Sequence, residues 1–406
     1  MFITTKFRLL ILCALTALCA SASVNADLFG SAKPYPDPKG TLMLPDSLTP
    51  VMINHVGRHG ARFPSGPSHT ATIRRFLSAG TLTPSGQRLI NIADSIDNTT
   101  EGRWGALDSL GMAEQAGIAR RMVNRFPDIF RGEVRVQAVS SYVPRCVASM
   151  YSFLHEVATL HREAEITASS GPQYSPLMRF FSVNEIYKHW ADTIDTDRIL
   201  IAMPEFDIAE ASIAKLFAQA PQSTPRERLK FLMAEYSTLA IQSASGGDAL
   251  TWHEFLSPKE MEALWALNDV RQHLLHSASA QSLIPSAIAA PLLRDIAADF
   301  DAYVANPTTA VPVNLRFGHA ETLMPLLALM QVPDCYYTGP TEEVPNHWHN
   351  YDIVPMAANL QMIMVRGQSG GYYVITLLNE NPVRLPGLPL YAPWPQMREY
   401  LLEKII

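Results

Sequence analysis

The chain is short of cysteine, of surplus positive charge and of long apolar runs. Only four cysteines occur in 406 residues, and two of them, Cys13 and Cys19, lie close to the N-terminus. Cys146 and Cys335 alone cannot staple a small secreted scaffold, so that class is excluded. Basic residues number 32 against 38 acidic ones, a net charge of −6. An acidic chain of this kind has no broad field to hold nucleic acid or an anionic membrane surface. Past the N-terminus no stretch approaches the roughly 20 uncharged apolar residues of a membrane span. Internal repeats and low-complexity tracts are absent as well.

What is present begins with a leader. Lys6 and Arg8 precede an apolar stretch from Leu9 to about Cys19, and small residues follow, ending Val24-Asn25-Ala26. That order predicts a secretory signal peptide over residues 1–26, cleaved after Ala26, and so a periplasmic or secreted product. Leu18 is a poor residue ahead of a lipidated cysteine, which argues against a lipoprotein anchor at Cys19. Cleavage leaves 30 of the 32 basic residues against 38 acidic ones, a net charge of −8. If the substrate is an anion, the arginines that hold it must be concentrated locally. Nothing in the sequence points beyond a monomer or weak oligomer.

Coarse periodicity divides the rest. Residues 27–46, with four prolines, read as an extended arm. Strands are predicted at 49–56, 133–140, 310–320, 359–367 and 371–380, from short apolar or alternating runs. A helix over about 109–126 is expected to bury Leu110, Ala113, Ala116 and Ile118, and another is expected to start near Pro144. Thr224-Pro225-Arg226-Glu227 and Ser257-Pro258-Lys259-Glu260 each carry a hydroxyl cap, proline at the first helical position and glutamate three beyond the cap. The fold class expected is α/β: a central mixed, mostly parallel sheet flanked by helices, with a smaller α-helical domain inserted. Residues 27–171 and 304–406 would form the core, and 172–303 the helical insert.

Chemistry concentrates in "NHVGRHGARFPSG", residues 54–66. Arg58 and Arg62 offer planar forks that match phosphate oxygens. Gly57 and Gly60 are expected to let the backbone bend and approach a ligand. His59, between two arginines, should be biased toward the neutral imidazole, which is a nucleophile. A loop histidine is more often only a hydrogen-bonded residue. His55 with His59, or His347 with His349, are candidate metal pairs, but neither has helical His-Glu-x-x-His spacing, and no metal or other cofactor is expected.

Arg58-His59-Gly60-Ala61-Arg62-Phe63-Pro64 resembles the signature of the histidine acid phosphatases, the histidine phosphatase branch that includes phytases. "SSYVPRCVASMYSFL" is similar to a downstream block of that family, which implies Arg145 as a third phosphate ligand, with Cys146 where threonine is usual. "NLRFGHAETLMPLLALM" resembles the block that usually ends His-Asp. Its His-Ala-Glu form is similar to the inositol-polyphosphate phosphatase subgroup, implying that His319 binds phosphoryl oxygens and that Glu321 protonates the leaving alcohol. The resemblance covers residues 50–160 and 310–385. It implies a phosphomonoesterase acting on phytate and other inositol polyphosphates through a phosphohistidine at His59. A broad acid or sugar phosphatase, a phosphotransferase and a non-catalytic phosphate-binding protein are the rivals. A polyanionic substrate would also need cations at the rim, for which Arg316, Lys188, Arg179 and Lys33 are candidates. Arginines and a helix N-terminus should depress the Glu321 pKa, and bound phosphate should raise it again.

Overall fold

The computed structural model describes residues 25–39 and 42–405. Most of the expected signal peptide therefore lies outside the described residues. Among those described, no helix is long and apolar enough to cross a membrane.

The strands are β1 (Leu48–Arg58), β2 (Thr81–Leu82), β3 (Val134–Ser140), β4 (Ala164–Ser170), β5 (Phe217–Gln219), β6 (Val313–Gly318), β7 (Asn359–Gly367), β8 (Tyr372–Leu378), β9 (Asn381–Val383) and β10 (Ala392–Pro393). The main sheet runs β10-β8-β7-β1-β6-β3-β4, with β9 paired to β8. It is mixed: β1, β6, β3 and β4 pair in parallel, whereas β7, β8 and β10 add antiparallel strands on the other side of β1. Alternation along each strand sends its apolar side chains to two cores. Met52 and Val56 pack with the long helices Pro225–Ala240, Pro258–His276 and Ala290–Ala305. Ile53, Val136, Leu315 and Ile363 face the helices Ser109–Arg125 and Pro144–Leu160 on the opposite side. The result is a sheet between two helical layers.

Both proline-started helices carry the reciprocal capping boxes expected of them, Thr224 with Glu227 and Ser257 with Glu260. Each cap contributes about 1 kcal/mol to helix stability. Between β4 and β6 the chain is almost wholly helical. That layer also recruits an earlier piece of chain. The helix Ser68–Leu77 packs on Pro225–Ala240, with Phe76 stacked on Phe231 at 4.5 Å, and β2 pairs with β5.

Two local expectations are corrected. The arm over 27–46 is not extended at its start: Ala26–Ala32 forms a 3-10 helix, kinked at Gly30, with Phe29 buried. The Ser109–Arg125 helix turns a different face inward, burying Gly111, Glu114, Gln115 and Ile118 while Leu110 and Ala113 stay exposed. The apolar count missed this because Glu114 and Gln115 are buried for their hydrogen bonds.

Candidate active site

Three neighbouring parallel strands end side by side. β1 delivers Arg58 and His59, β6 delivers His319, and β3 leads through Ser141 to Arg145 near the start of the Pro144–Leu160 helix. Carboxyl ends of parallel strands are where open α/β sheets present ligand sites, and the helix N-terminus favours an anion. His59 N donates to Gly318 O at 3.0 Å, so the two histidines are set by one strand pair, with ring centroids 5.9 Å apart.

The loop after β1 is held atom by atom. The His59 carbonyl accepts from Ala357 N at 3.0 Å, Gly60 N donates to Ser149 Oγ at 3.1 Å, and Ala61 N donates to Glu114 Oε2 at 2.7 Å. Gln115 Nε2 donates to Arg58 O at 2.8 Å. Neither Gly57 nor Gly60 is among the glycines with positive φ, so the expected sharp bend is not their role. Gly60 instead lies back to back with Gly111: a Cβ on Gly60 would sit 2.4 Å from Gly111 O. Close approach of loop and helix is what excludes a side chain there.

His59 Nδ1 lies 2.9 Å from Gly60 O. A carbonyl only accepts, so Nδ1 carries the proton and Nε2 keeps its lone pair. Burial first, then the Arg58, Arg145 and Arg62 charges, hold this imidazole well below its usual range, and it is neutral. Arg58 is 4 % exposed; its Nη1 donates to Ser31 O at 2.6 Å and to Val354 O, and its Nε has no partner. Arg62 donates through Nη1 to Phe63 O at 2.9 Å, and Nε of both Arg62 and Arg145 is buried without a partner. No carboxylate within salt-bridge distance neutralises Arg58, Arg62 or Arg145 among the described residues. Burial lowers the pKa of Arg58 to about 10; burial and the Arg145 and Arg58 charges lower that of Arg62 to about 9. Glu321 and Glu114 act on Arg58 only through space, so cations that depress one another with no carboxylate in contact form a clamp for an anion.

His319 caps the helix Ala320–Leu329, its N–H donating to Thr322 Oγ1 at 3.0 Å. Its Nε2 lies 3.0 Å from Ser141 Oγ, and Arg145 Nη2 donates to Nδ1 at 3.4 Å. Burial drives its pKa down to about 3, against the pull of Glu321 and with help from Arg145. Cys146 donates its thiol to Gly318 O at 3.1 Å, and burial pushes that thiol up to about 12. Both it and Cys335 are free thiols. Glu321 occupies the second position of the helix that His319 caps. Burial would raise its pKa, yet His276, His319, its own backbone N–H and Arg58 prevail and bring it to about 2. That is the depression expected from the sequence, but the largest attractive partner is one the sequence did not indicate.

His276 ends the Pro258–His276 helix, with Nδ1 3.3 Å from Tyr187 Oη, and only the fold brings it toward Glu321. Of the four rim candidates, Arg179 alone approaches the site, over the Phe181 ring that meets His319 edge-on at 5.7 Å. Lys188 pairs with Glu185 on the surface, and Lys33 pairs with Asp27 at 2.6 Å. Arg316 is no rim residue: it is buried in β6 and tied to Asp295, Asp299 and Asn54. The candidate metal pairs also dissolve. His55 is buried between Phe153 and Phe317, His347 stacks on Tyr337 and His349 on Tyr351, and no group of three or more metal-ligating side chains occurs among the described residues. A cavity of about 200 Å³ opens beside the clamp, walled by Ser31, His69, Tyr236, Asn268 and Gln272 together with Arg58 and Arg62.

A sheet flanked by helices, with an unneutralised guanidinium clamp around a neutral histidine at its strand ends, defines a class of anion-handling α/β proteins. Within that class, residues 167–379 match the model of the histidine phosphatase superfamily (branch 2), over half of the chain, and the chain belongs to that family. It is a phosphoric monoester hydrolase. The matched range includes His319 and Glu321 and begins past the Arg58–Arg62 loop. Multiple inositol polyphosphate phosphatase 1 of Gallus gallus is 26% identical over 366 residues, 84% of this chain and 78% of that protein. The crystal structure of Bifidobacterium longum multiple inositol polyphosphate phosphatase with inositol hexasulfate superposes with a TM-score of 0.78 at 16% identity, covering 92% of this chain and 97% of that one. The phytase from D. castellii gives 0.67 at 14%, covering 94% and 85%. At such identities the two solved structures establish a shared fold.

Proposed function

We propose that this phosphatase is exported and hydrolyses inositol polyphosphates, phytate among them, through a phosphohistidine. The observation that carries the reading is the free Nε2 of a neutral His59, set among guanidiniums that no acid neutralises. The phosphoryl group sits on the open edges of Arg58, Arg62 and Arg145, which balance its charge as the transition state forms. Nε2 attacks phosphorus as the bond to the leaving oxygen breaks, and Glu321 gives that oxygen its proton. Water then adds to phosphorus, losing its proton to the Glu321 carboxylate, while the phosphorus–nitrogen bond breaks and the lone pair returns to Nε2. Arg145 leaves His319 Nδ1 when it turns to the substrate. Ser141 Oγ can then donate to Nε2, so that Nδ1–H donates to a phosphoryl oxygen.

A carboxyl with a pKa of about 2 is the wrong acid in the empty site. The substrate's negative charge raises it, so Glu321 is protonated only once the phosphate is bound. Export rests on the leader pattern alone, and N-terminal sequencing of the mature protein checks it. The similarity to the inositol polyphosphate phosphatases supports the substrate class. A broad acid phosphatase is the second reading, favoured by the hydroxyls and amides that line much of the cavity.

The test is phosphate release from phytate and from an aryl phosphate in EDTA, by wild type and His59→Ala, with rapid-quench labelling. Wild type should form an acid-labile phosphoenzyme and prefer phytate. His59→Ala should form none and lose about 10⁴-fold or more in rate. A wild-type rate with no trapped adduct defeats the mechanism, and a preference for the aryl ester moves the substrate to the second reading.

A further inference from the structure

The Arg58 guanidinium is anchored along one side only. Its Nη1 is fixed by two backbone carbonyls, and one of these belongs to Ser31, 27 residues upstream on the N-terminal segment. That segment does not drape over the surface. Phe29 is 2 % exposed, and Phe29, Ser31 and Ala32 form part of the cavity wall beside Arg58 and Arg62.

The segment is built to bring the Ser31 carbonyl to this place. Gly30 has φ +55° and ψ −135°, a region that L-residues rarely adopt. There is also no room for a side chain, since a Cβ would lie 2.8 Å from Tyr236 Oη and 2.9 Å from Asn350 Oδ1. Tyr236 Oη donates to Leu28 O at 3.1 Å, and Gln272 Nε2 donates to Ser31 Oγ at 3.1 Å, so two long helices of the helical layer, Pro225–Ala240 and Pro258–His276, hold the segment. On the sheet side, Met356 N donates to Lys33 O at 2.8 Å. Glu114 joins the two systems: one carboxylate oxygen accepts from Tyr35 N at 2.8 Å and the other from Ala61 N at 2.7 Å. The segment is thus tied to the catalytic loop at both Arg58 and Ala61.

We infer that residues 27–35 are a strap belonging to the phosphate site, in which Gly30 and the Ser31 carbonyl are positioning groups for Arg58. Holding Nη1 from behind turns the Nε edge of the guanidinium toward the anion and holds it there before the substrate arrives. A pre-set fork loses less freedom on binding, so the strap acts on affinity for the phosphoryl group more than on protein stability. The inference rests on the phosphate reading of the clamp.

The experiment compares the full-length chain, a chain lacking residues 27–33, and Gly30→Ala. Titration calorimetry with inorganic phosphate, KM and kcat on an aryl phosphate, and unfolding midpoints are read for each. Loss of a hydrogen bond that orients a charged group predicts a rise in the phosphate dissociation constant and in KM of about tenfold or more for the deletion. Gly30→Ala should raise both several-fold, about threefold to tenfold. Adding a synthetic peptide of residues 27–36 to the deleted chain should bring phosphate affinity back toward wild type. Should the deletion fail to fold, Gly30→Ala decides. A folded variant with a lowered midpoint but wild-type phosphate affinity and KM overturns the strap. If instead the wild-type chain neither binds phosphate nor depends on His59, the underlying functional reading is what has failed.

Discussion

Arg58 and Arg316 sit on neighbouring strands of the same sheet, and each is 4 % exposed, yet they are opposites. Arg316 is surrounded by Asp295, Asp299 and the Asn54 amide oxygen, and the two acids outweigh its burial and keep its pKa raised. Arg58 has only carbonyls along one side, an orphan Nε and no acid in contact, and burial has brought it down to about 10. A buried charge costs several kcal/mol unless something compensates it. For Arg316 the compensation comes from the protein, and the residue is part of the scaffold. For Arg58 the protein offers only Glu321 and Glu114 at a distance, so the contact must come from outside, and an anion of tetrahedral oxygens is the partner that a set of guanidinium forks accepts. Burial and residue type are equal in the two cases; the presence or absence of carboxylates separates structure from function.

The contrast can be broken most forcefully by substitution. Arg58→Ala should lower kcat/KM about 10²–10³-fold, with little loss of stability, because it removes an uncompensated charge. Arg316→Met should do the reverse. It strands two acids, one of them more than a third exposed, and after allowance for solvent screening should cost about 2–3 kcal/mol of folding stability. Its KM should hold. Chemical denaturation beside steady-state kinetics on both variants checks the pair; equal kinetic damage from Arg316→Met would erase the distinction.

Acid sharpens it next. His55 and His319 have folded pKa values of about 3 against an unfolded 6.5. As pH falls below about 6.5, the unfolded chain takes protons that the folded one refuses. Stability therefore drops, by about 1.4 kcal/mol per pH unit for each such group. The Glu321 contribution, from about 2 folded against 4.5 unfolded, is present above 4.5 and is lost as pH falls from there through 2. Inorganic phosphate should offset part of the loss in wild type, by about 1–2 kcal/mol at saturating concentration. The offset should be much smaller in Arg58→Ala. Unfolding midpoints between about pH 4.5 and 7, with and without phosphate, give the comparison. At the bottom of the scale, Arg88 pairs with Glu254 in the open, and Arg88→Ala should leave both the unfolding midpoint and the kinetics unchanged.

Much of this was legible in the linear order. The loop from Arg58 to Pro64, the strand before it, the helix opening at Pro144 and the two capping boxes are all local patterns, and the structure contains them. The direction of the Glu321 shift was expected from nearby arginines and a helix N-terminus, although its largest attractive partner, His276, was not. Arg316 was misjudged, because a guanidinium in a strand looks the same whether it faces solvent or two aspartates from a helix 17 and 21 residues earlier in the chain. Glu114 and Gln115 were not singled out in the sequence, because their partners are the backbone of a loop more than fifty residues upstream. His276 carried no signal at all, being the last residue of a helix buried on several faces.

By itself, then, the sequence determined which side chains could do the chemistry and which segments would be helix or strand. Those properties depend on residue type and on neighbours within a few positions, where periodicity and capping act. Tertiary structure alone decided which arginine is neutralised, which carboxylate props up the loop, and that the N-terminal segment reaches back to hold Arg58. These are encounters between groups far apart in the chain, and whether a buried charge is satisfied depends on distance in space, which no spacing in sequence encodes.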